Sequence, residues 1–296
     1  MNAPSSLLAG LIVAAHGRQY RVRLASGEEW LCYPRGKKSE LVCGDCVRVR
    51  GGQSGLGVIE RAEARSTLLY RSDALREKLI AANVDQLILV AATEPAFSTA
   101  LLNRCLIAAE AAGISSLIVL NKSDISNKLP MARQRLALLT RLGYPLLELS
   151  ATRDVRSLLP YLEGKTSVLV GQSGMGKSTL INALIPGVRA ATQEISAALA
   201  SGKHTTTHAQ LYFLNPESRL MDSPGLQEFG LRHLDFAALE HAFPEFALHL
   251  GNCRFRDCRH QREPGCALQA AAESGQIETE RLRLFQTLAQ EARGKE

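Results

Sequence analysis

The chain contains the stretch Gly171-Gln172-Ser173-Gly174-Met175-Gly176-Lys177-Ser178, with the spacing G-x-x-x-x-G-K-[ST]. Glycines at these positions let the backbone curl so that successive N–H groups point inward at a phosphate. Lys177 is placed to reach the β- and γ-phosphates of a nucleoside triphosphate, and the Ser178 hydroxyl to ligate Mg²⁺. The apolar run Ser167-Val168-Leu169-Val170 precedes the stretch, and a helical pattern from Thr179 through Leu184 follows it. Strand, glycine-rich turn and helix bring unpaired first-turn amides and the positive end of the helix dipole to the same anion.

Three further clusters extend this chemistry. Asn121-Lys122-Ser123-Asp124 directly follows the apolar run Ser116-Leu117-Ile118-Val119-Leu120. An aspartate at Asp124 can accept from both the ring N1–H and the exocyclic amino group of guanine, whereas adenine would present an unpaired acceptor there. An ATP-using enzyme is therefore disfavoured. Asn121 is expected to brace neighbouring loops, and the stem of Lys122 to cover the base plane. Glu148-Leu149-Ser150-Ala151 resembles the loop whose backbone N–H contacts the guanine oxygen in GTPases. Downstream, Asp222-Ser223-Pro224-Gly225 suits an aspartate that holds Mg²⁺ through water and a glycine amide for the γ-phosphate. Between these lies Lys203-His204-Thr205-Thr206-Thr207, in which Thr206 could complete the Mg²⁺ shell. Each piece has a plainer reading as a cap or a polar turn.

A separate constellation, Cys253, Cys258, His260 and Cys266, falls within fourteen positions near the C-terminus. Three cysteines and one histidine compose a closed structural zinc site, and soft thiolates select zinc over magnesium or calcium. Arg254, Arg256, Arg259 and Arg262 are interleaved with these ligands. They suit a phosphate backbone or RNA loop, or else are solvated loop charges.

The elements that must position these residues fall into three stretches. At 296 residues the chain exceeds one ordinary domain, and 46% hydrophobic content suffices for folded cores. The first stretch, 1–70, has five short alternating runs separated by glycine turns, which fits a small barrel of the oligonucleotide-binding (OB) type. Its arginines and lysines, with Tyr20, Trp30 and Tyr33, either contact RNA or form a charged face over an aromatic core. Cys43-Gly44-Asp45-Cys46 has the C-x-x-C spacing, but no second pair stands nearby.

From residue 73 to 232, apolar strands alternate with amphipathic helices, the pattern of a parallel sheet covered on both faces, with ligands beyond the carboxyl ends of its strands. Residues 233–296 read as a small α-helical domain around the zinc ligands. A net charge of +6 favours polyanionic partners. The N-terminus does not look like a signal peptide, and no apolar run approaches the roughly 18 residues of a membrane span. The expectation is a cytoplasmic monomer whose cysteines are thiols or metal ligands, with no membrane partner.

In ordinary GTPases the phosphate loop, the threonine switch and Asp-x-x-Gly precede Asn-Lys-x-Asp and the Ser-Ala loop. Here the last two come first, as in a circularly permuted GTPase. The whole arrangement resembles the ribosome small subunit-dependent GTPase A family of bacterial circularly permuted GTPases. The resemblance rests on a small barrel, then NKSD, ELSA, GQSGMGKS, a His-Thr-Thr switch, DSPG and CxxxxCxHxxxxxC. It implies GTP hydrolysis stimulated by the small ribosomal subunit, a role late in that subunit's maturation, and rRNA contacts by the barrel and zinc domain. Nucleotide contacts are implied at Asn121, Lys122, Ser123 and Asp124 and at Gly171 through Thr179, with zinc at Cys253, Cys258, His260 and Cys266.

Lys203 stands where an arginine often precedes His-Thr-Thr, and Cys43 where an apolar residue is usual. Many GTPases place a glutamine directly after Asp-x-x-Gly to orient the attacking water, and here that residue is Leu226. Slow hydrolysis by the free chain is expected, with His204 orienting water once a partner fixes its loop, and Gln227 the weaker candidate. A GTP-regulated RNA-binding module, in which hydrolysis is incidental, is the alternative.

Overall fold

The computed structural model describes residues 7–36, 40–52, 55–72, 77–188, 209–223 and 229–293. Two compact units partition the chain, one of residues 1–70, 79–99 and 114–227 and the other of 71–78, 100–113 and 228–296.

The first unit begins with β1 (Leu8–His16), β2 (Gln19–Leu24), β3 (Glu29–Pro34), β4 (Cys46–Gly51) and β5 (Leu56–Ala62). They close a barrel in the order β1-β2-β3-β5-β4-β1, with β3 and β5 parallel and the other neighbours antiparallel. Strand alternation sends Ile12, Tyr20, Val22, Leu24, Cys32, Val47, Val49 and Ile59 into one core. Tyr20 therefore belongs to that core and is no base-stacking group. Trp30 packs against the core from the side, and Tyr33 is 41% exposed. Several barrel cations already have partners: Arg35 and Arg50 pair with Glu60, and Arg48 with Glu63. Of the C-x-x-C pair, Cys43 is buried and Cys46 exposed, and neither joins a metal-ligand cluster among the described residues.

After the ribbon β6 (Leu68–Ser72) and β7 (Glu77–Ala82) come β8 (Gln86–Ala92), β9 (Ser115–Asn121), β10 (Leu146–Glu148), β11 (Thr166–Val170), β12 (Gln210–Phe213) and β13 (Arg219–Asp222). Their order is β10-β9-β8-β11-β13-β12. Every residue of β8 and β11 is buried, as a central parallel strand requires. The expected parallel arrangement holds for β10, β9, β8, β11 and β13, but β12 runs antiparallel to β13. A tight turn is the reason: Asn215 Oδ1 accepts from the Glu217 and Ser218 amides at 3.0 and 2.6 Å, reversing the chain with no room for a crossover helix. Barrel and α/β sheet are hydrogen-bonded neighbours, since β1 meets β12 at Ala14 and Gln210. Helices α1 (Thr99–Ala111), α2 (Leu129–Arg141), α3 (Leu159–Leu162) and α4 (Lys177–Leu184) connect the strands.

The second unit takes in most of α1 together with α5 (Phe236–His241), α6 (Ala267–Glu273) and α7 (Thr279–Arg293). Phe243, Phe246 and Phe285 form its aromatic centre, with ring centroids 4.8 to 5.5 Å apart. Arg281, only 1% exposed, lies over the Phe243 ring and donates to Glu245 Oε1 at 2.5 Å and Asn103 Oδ1 at 2.6 Å. A buried guanidinium is tolerated there because its donors and its face are both occupied. Arg104 forks onto the Glu291 carboxylate at 2.8 and 2.6 Å, giving α1 and α7 a second tie. Among the described residues no helix is long and apolar enough to cross a membrane.

Candidate nucleotide and metal sites

The parallel strands end in register on one edge of the sheet. Ala92 lies beside Asn121, Leu120 beside Glu148, and Leu169 beside Asp222. That edge, outside the carboxyl ends of the strands, is where such sheets bind ligands.

Gly171, directly after β11, lies against the carbonyl of Val90, and a Cβ at Gly171 would collide with that backbone oxygen. Gly174 and Gly176 have φ of +81° and +93°, the left-handed region that a side chain resists. The loop they shape runs into α4 at Lys177. The Lys177 ammonium turns back onto the loop, donating to the carbonyls of Gly171 at 2.6 Å and Gln172 at 3.2 Å. Ser173, Ser178 and Thr179 are exposed. Gln172 faces elsewhere: its Oε1 accepts from the Ser98 amide at 2.6 Å, fastening the loop that precedes α1. No feature of the sequence pointed to that contact.

Asn121 is buried and holds three loops at once. Its Nδ2 donates to the Met175 carbonyl at 2.9 Å. Its Oδ1 accepts from the Ala151 amide at 2.9 Å and from the Lys122 amide at 2.8 Å. Lys122 has φ +58°, and its ammonium reaches the carbonyls of Glu94 at 2.8 Å and Gly174 at 3.0 Å, which stretches its stem past the phosphate loop. Ser123 donates its amide to the Leu149 carbonyl at 3.1 Å. Ser150 and Ala151 are buried, and Ser150 accepts from the amides of Arg153 and Asp154 at 3.0 and 2.9 Å. This tight loop puts Arg153 Nε 3.5 Å from Asp124 Oδ2, an ion pair not foreseen from the spacing.

Asp222 ends β13, nearly buried, with Oδ1 lacking any hydrogen-bond partner among the described residues. An orphaned, buried carboxylate oxygen suits a hydrated cation. Burial pushes the Asp222 carboxyl up to about 6, while the nearby Lys177 charge pulls it down. Lys177 is lowered in turn by burial, with Asp222 opposing. Ser223 donates its hydroxyl to the Leu169 carbonyl at 2.6 Å and locks the strand end. His204, Thr206, Gly225, Leu226 and Gln227 lie outside the described residues.

In the second unit the ligand atoms of Cys253, Cys258, His260 and Cys266 all lie within 4.8 Å of one another. His260 Nδ1 is 3.6, 3.6 and 3.2 Å from the sulfurs of Cys253, Cys258 and Cys266. Zn–S and Zn–N bonds of about 2.3 and 2.0 Å give tetrahedral edges of roughly 3.5–3.8 Å, so the four atoms fit one zinc ion. Burial raises the Cys258 and Cys266 thiols, so the cluster needs a cation to become thiolate. Left-handed residues set the geometry at His260, φ +57°, and at Gly265, φ +76°, whose carbonyl accepts from the Arg254 amide at 3.0 Å. The Ala267 amide points at Cys253 Sγ from 3.3 Å. Arg254, Arg256, Arg259 and Arg262 are exposed, and Arg254 and Arg259 lie over the rings of Phe255 and Phe236.

Comparison with known proteins agrees with this geometry. Residues 62–232 match the family described as RsgA GTPase. A curated protein of Nitrosospira multiformis, named Small ribosomal subunit biogenesis GTPase RsgA, is 52% identical over 281 residues, covering 95% of this chain and 90% of its own length. A Burkholderia pseudomallei protein of the same name is 53% identical, covering 96% and 92%. The crystal structure of YjeQ from Thermotoga maritima superposes with a TM-score of 0.73 at 31% identity, covering 98% of this chain and all of the other. That of YloQ, described as a circularly permuted GTPase, gives 0.69 at 27% identity, covering 98% and 96%. With its barrel, permuted nucleotide-binding sheet and cysteine-histidine knuckle, the chain belongs to the RsgA GTPase family.

Proposed function

We propose that this chain hydrolyses GTP to GDP and phosphate as a factor in late maturation of the small ribosomal subunit, with turnover stimulated by that subunit. The observation that carries the reading is Asn121, which fastens the phosphate loop, its own Asn-Lys-Ser-Asp turn and the Ser150-Ala151 loop to one another. A guanine nucleotide spans just those three loops.

In this reading Asp124 accepts from guanine N1–H and the exocyclic amine, and the Ala151 amide meets the guanine oxygen. The Lys122 stem covers the ring, with Ser123 and Ser150 completing the base pocket. The amides of Gly171 through Thr179 cradle the phosphates. Lys177 leaves the Gly171 carbonyl to neutralise charge building on the β- and γ-oxygens. Ser178, Thr206 and Asp222 would hold Mg²⁺, which supplies further charge stabilisation at those oxygens. Gly225 senses the γ-phosphate, and His204 orients water in place of the glutamine that Leu226 replaces.

Zinc at Cys253, Cys258, His260 and Cys266 is structural. The exposed arginines of the knuckle and of the barrel (1–70) contact rRNA. The sheet domain (73–232) passes the nucleotide state to the zinc-bearing domain (233–296). The protein acts as a cytoplasmic monomer.

The deciding experiment is the GTPase rate against added small subunits, with large subunits as control. Strong stimulation by small subunits alone is expected, and equal rates with either would overturn the reading.

A further inference from the structure

The imidazole of His260 has two nitrogens, and the second is spoken for. Nδ1 faces the three sulfurs, while Nε2 lies 2.6 Å from Glu240 Oε1. Glu240 is on α5, 20 residues earlier in the chain, and its side chain is 17% exposed. We propose that Glu240 is the positioning residue of the metal centre, holding His260 in the tautomer whose Nδ1 is free to ligate.

The chemistry follows from the donor inventory. A ligating nitrogen must carry no proton, so a neutral His260 that binds through Nδ1 carries its hydrogen on Nε2. Glu240 accepts that hydrogen, which fixes the tautomer and the ring plane and makes Nδ1 a stronger donor to the metal. Phe236, on the same helix as Glu240, stacks on the ring with planes 12° apart, and from α7 Gln286 Nε2 donates to the His260 backbone carbonyl at 2.6 Å.

Glu240 matters beyond the metal because of where it sits. Helix α5 is six residues long, too short to persist without tertiary support. Asp235 caps it by accepting from the Ala238 amide at 2.7 Å, and Leu239 is buried. Phe236 also meets Phe285 edge-on at 5.6 Å, and the Phe236 and Glu240 contacts to His260 add to that support. Among the described residues α5 is the first helix in sequence after Asp222-to-Gly225. Through Glu240, metal at the knuckle fixes α5.

The inference rests on the zinc reading, and the test separates the two. Zinc affinity of the full chain is measured by chelator competition for the native protein, E240Q and E240A. Cobalt(II) spectra report the ligand field, and GDP affinity checks that the first unit is intact. Expected is a 10–100-fold loss for E240A and about tenfold for E240Q, with altered cobalt ligand-field bands and unchanged GDP affinity. E240Q keeps the shape of glutamate, so it decides the matter should E240A fail to fold. An E240Q affinity within threefold of native overturns the role of Glu240. A native chain that binds no zinc overturns the zinc reading itself.

Discussion

The side-chain amide of Asn121 donates to the backbone carbonyl of Met175 at 2.9 Å, across 54 residues of sequence and inside the site rather than at its rim. The same side chain accepts from the Ala151 amide. Gly176 must be glycine for this to exist, since its φ is +93° and a Cβ there would run into the Asn121 nitrogen. Substitution N121A takes the partner from the Met175 carbonyl and from the Ala151 and Lys122 amides, at about 1–3 kcal/mol for each left buried. GDP affinity measured by calorimetry should fall about 10–100-fold or more, while zinc content stays at one per chain. Native-like GDP binding by N121A would show that the three loops are held by something else.

The carboxyl of Asp222 gives a pH signature. Its folded value of about 6 lies above the ordinary 3.8 because of burial. A carboxyl that holds its proton more tightly when folded contributes most to stability at low pH. That contribution is lost as pH rises from about 4 to about 6, roughly 3 kcal/mol in all. Mg²⁺ requires the ionised form, so Mg²⁺-dependent GTP binding should weaken about tenfold per unit below pH 6 beyond any change seen in D222N. Nucleotide-free D222N should also lack the decline in unfolding free energy between pH 4 and 6. Parallel pH profiles for the two proteins would remove Asp222 from the site.

How much of this was legible beforehand varied with the kind of signal. Motifs at strand ends were readable because chemistry dictates residue type at fixed spacing, as at Gly171 to Ser178 and in the Cys253 to Cys266 set. The barrel strands were readable by alternation. What stayed hidden depended on contacts remote in sequence. Tyr20 and Tyr33 look alike on paper, yet one fills the barrel core and the other faces solvent. The reversal of β12 hinges on one asparagine side chain in the turn before β13. Gln172 holding Ser98, Arg153 beside Asp124 and Glu240 behind His260 have no spacing rule at all, because tertiary packing alone brings them together.

Metal removal should act on one unit selectively. Among the described residues, 253–266 contain no regular helix or strand, so the ligand set, a few backbone bonds and the contacts of Glu240, Phe236 and Gln286 to His260 hold this segment in shape. Structural zinc commonly contributes folding free energy outright. A strong chelator should therefore abolish hydrogen-exchange protection at the Arg254 and Cys258 amides, which donate to the carbonyls of Gly265 and Phe255. GDP binding should change by less than about threefold, because the nucleotide loops lie in the other unit. Retained protection at those amides after complete zinc loss would count against a structural ion.

The strictest check on substrate is a change of one atom at Asp124. Guanine presents two donors to its carboxylate, N1–H and the exocyclic amine. Asparagine keeps one acceptor and replaces the other with an NH₂ donor. Against guanine that donor meets a donor, and the lost bond together with the clash costs about 2–4 kcal/mol, or roughly 30- to 1,000-fold in affinity. Xanthine carries an oxygen where guanine carries the amine, so the same substitution pairs both of its groups correctly. D124N should thus lose GDP and gain xanthosine diphosphate in competition binding. Arg153, 3.5 Å from the native carboxylate, loses its charge partner in the variant, at a cost of at most about 1 kcal/mol for an exposed pair. That term is too small to mask a reversal of base preference. If D124N still prefers guanine, Asp124 does not read the base.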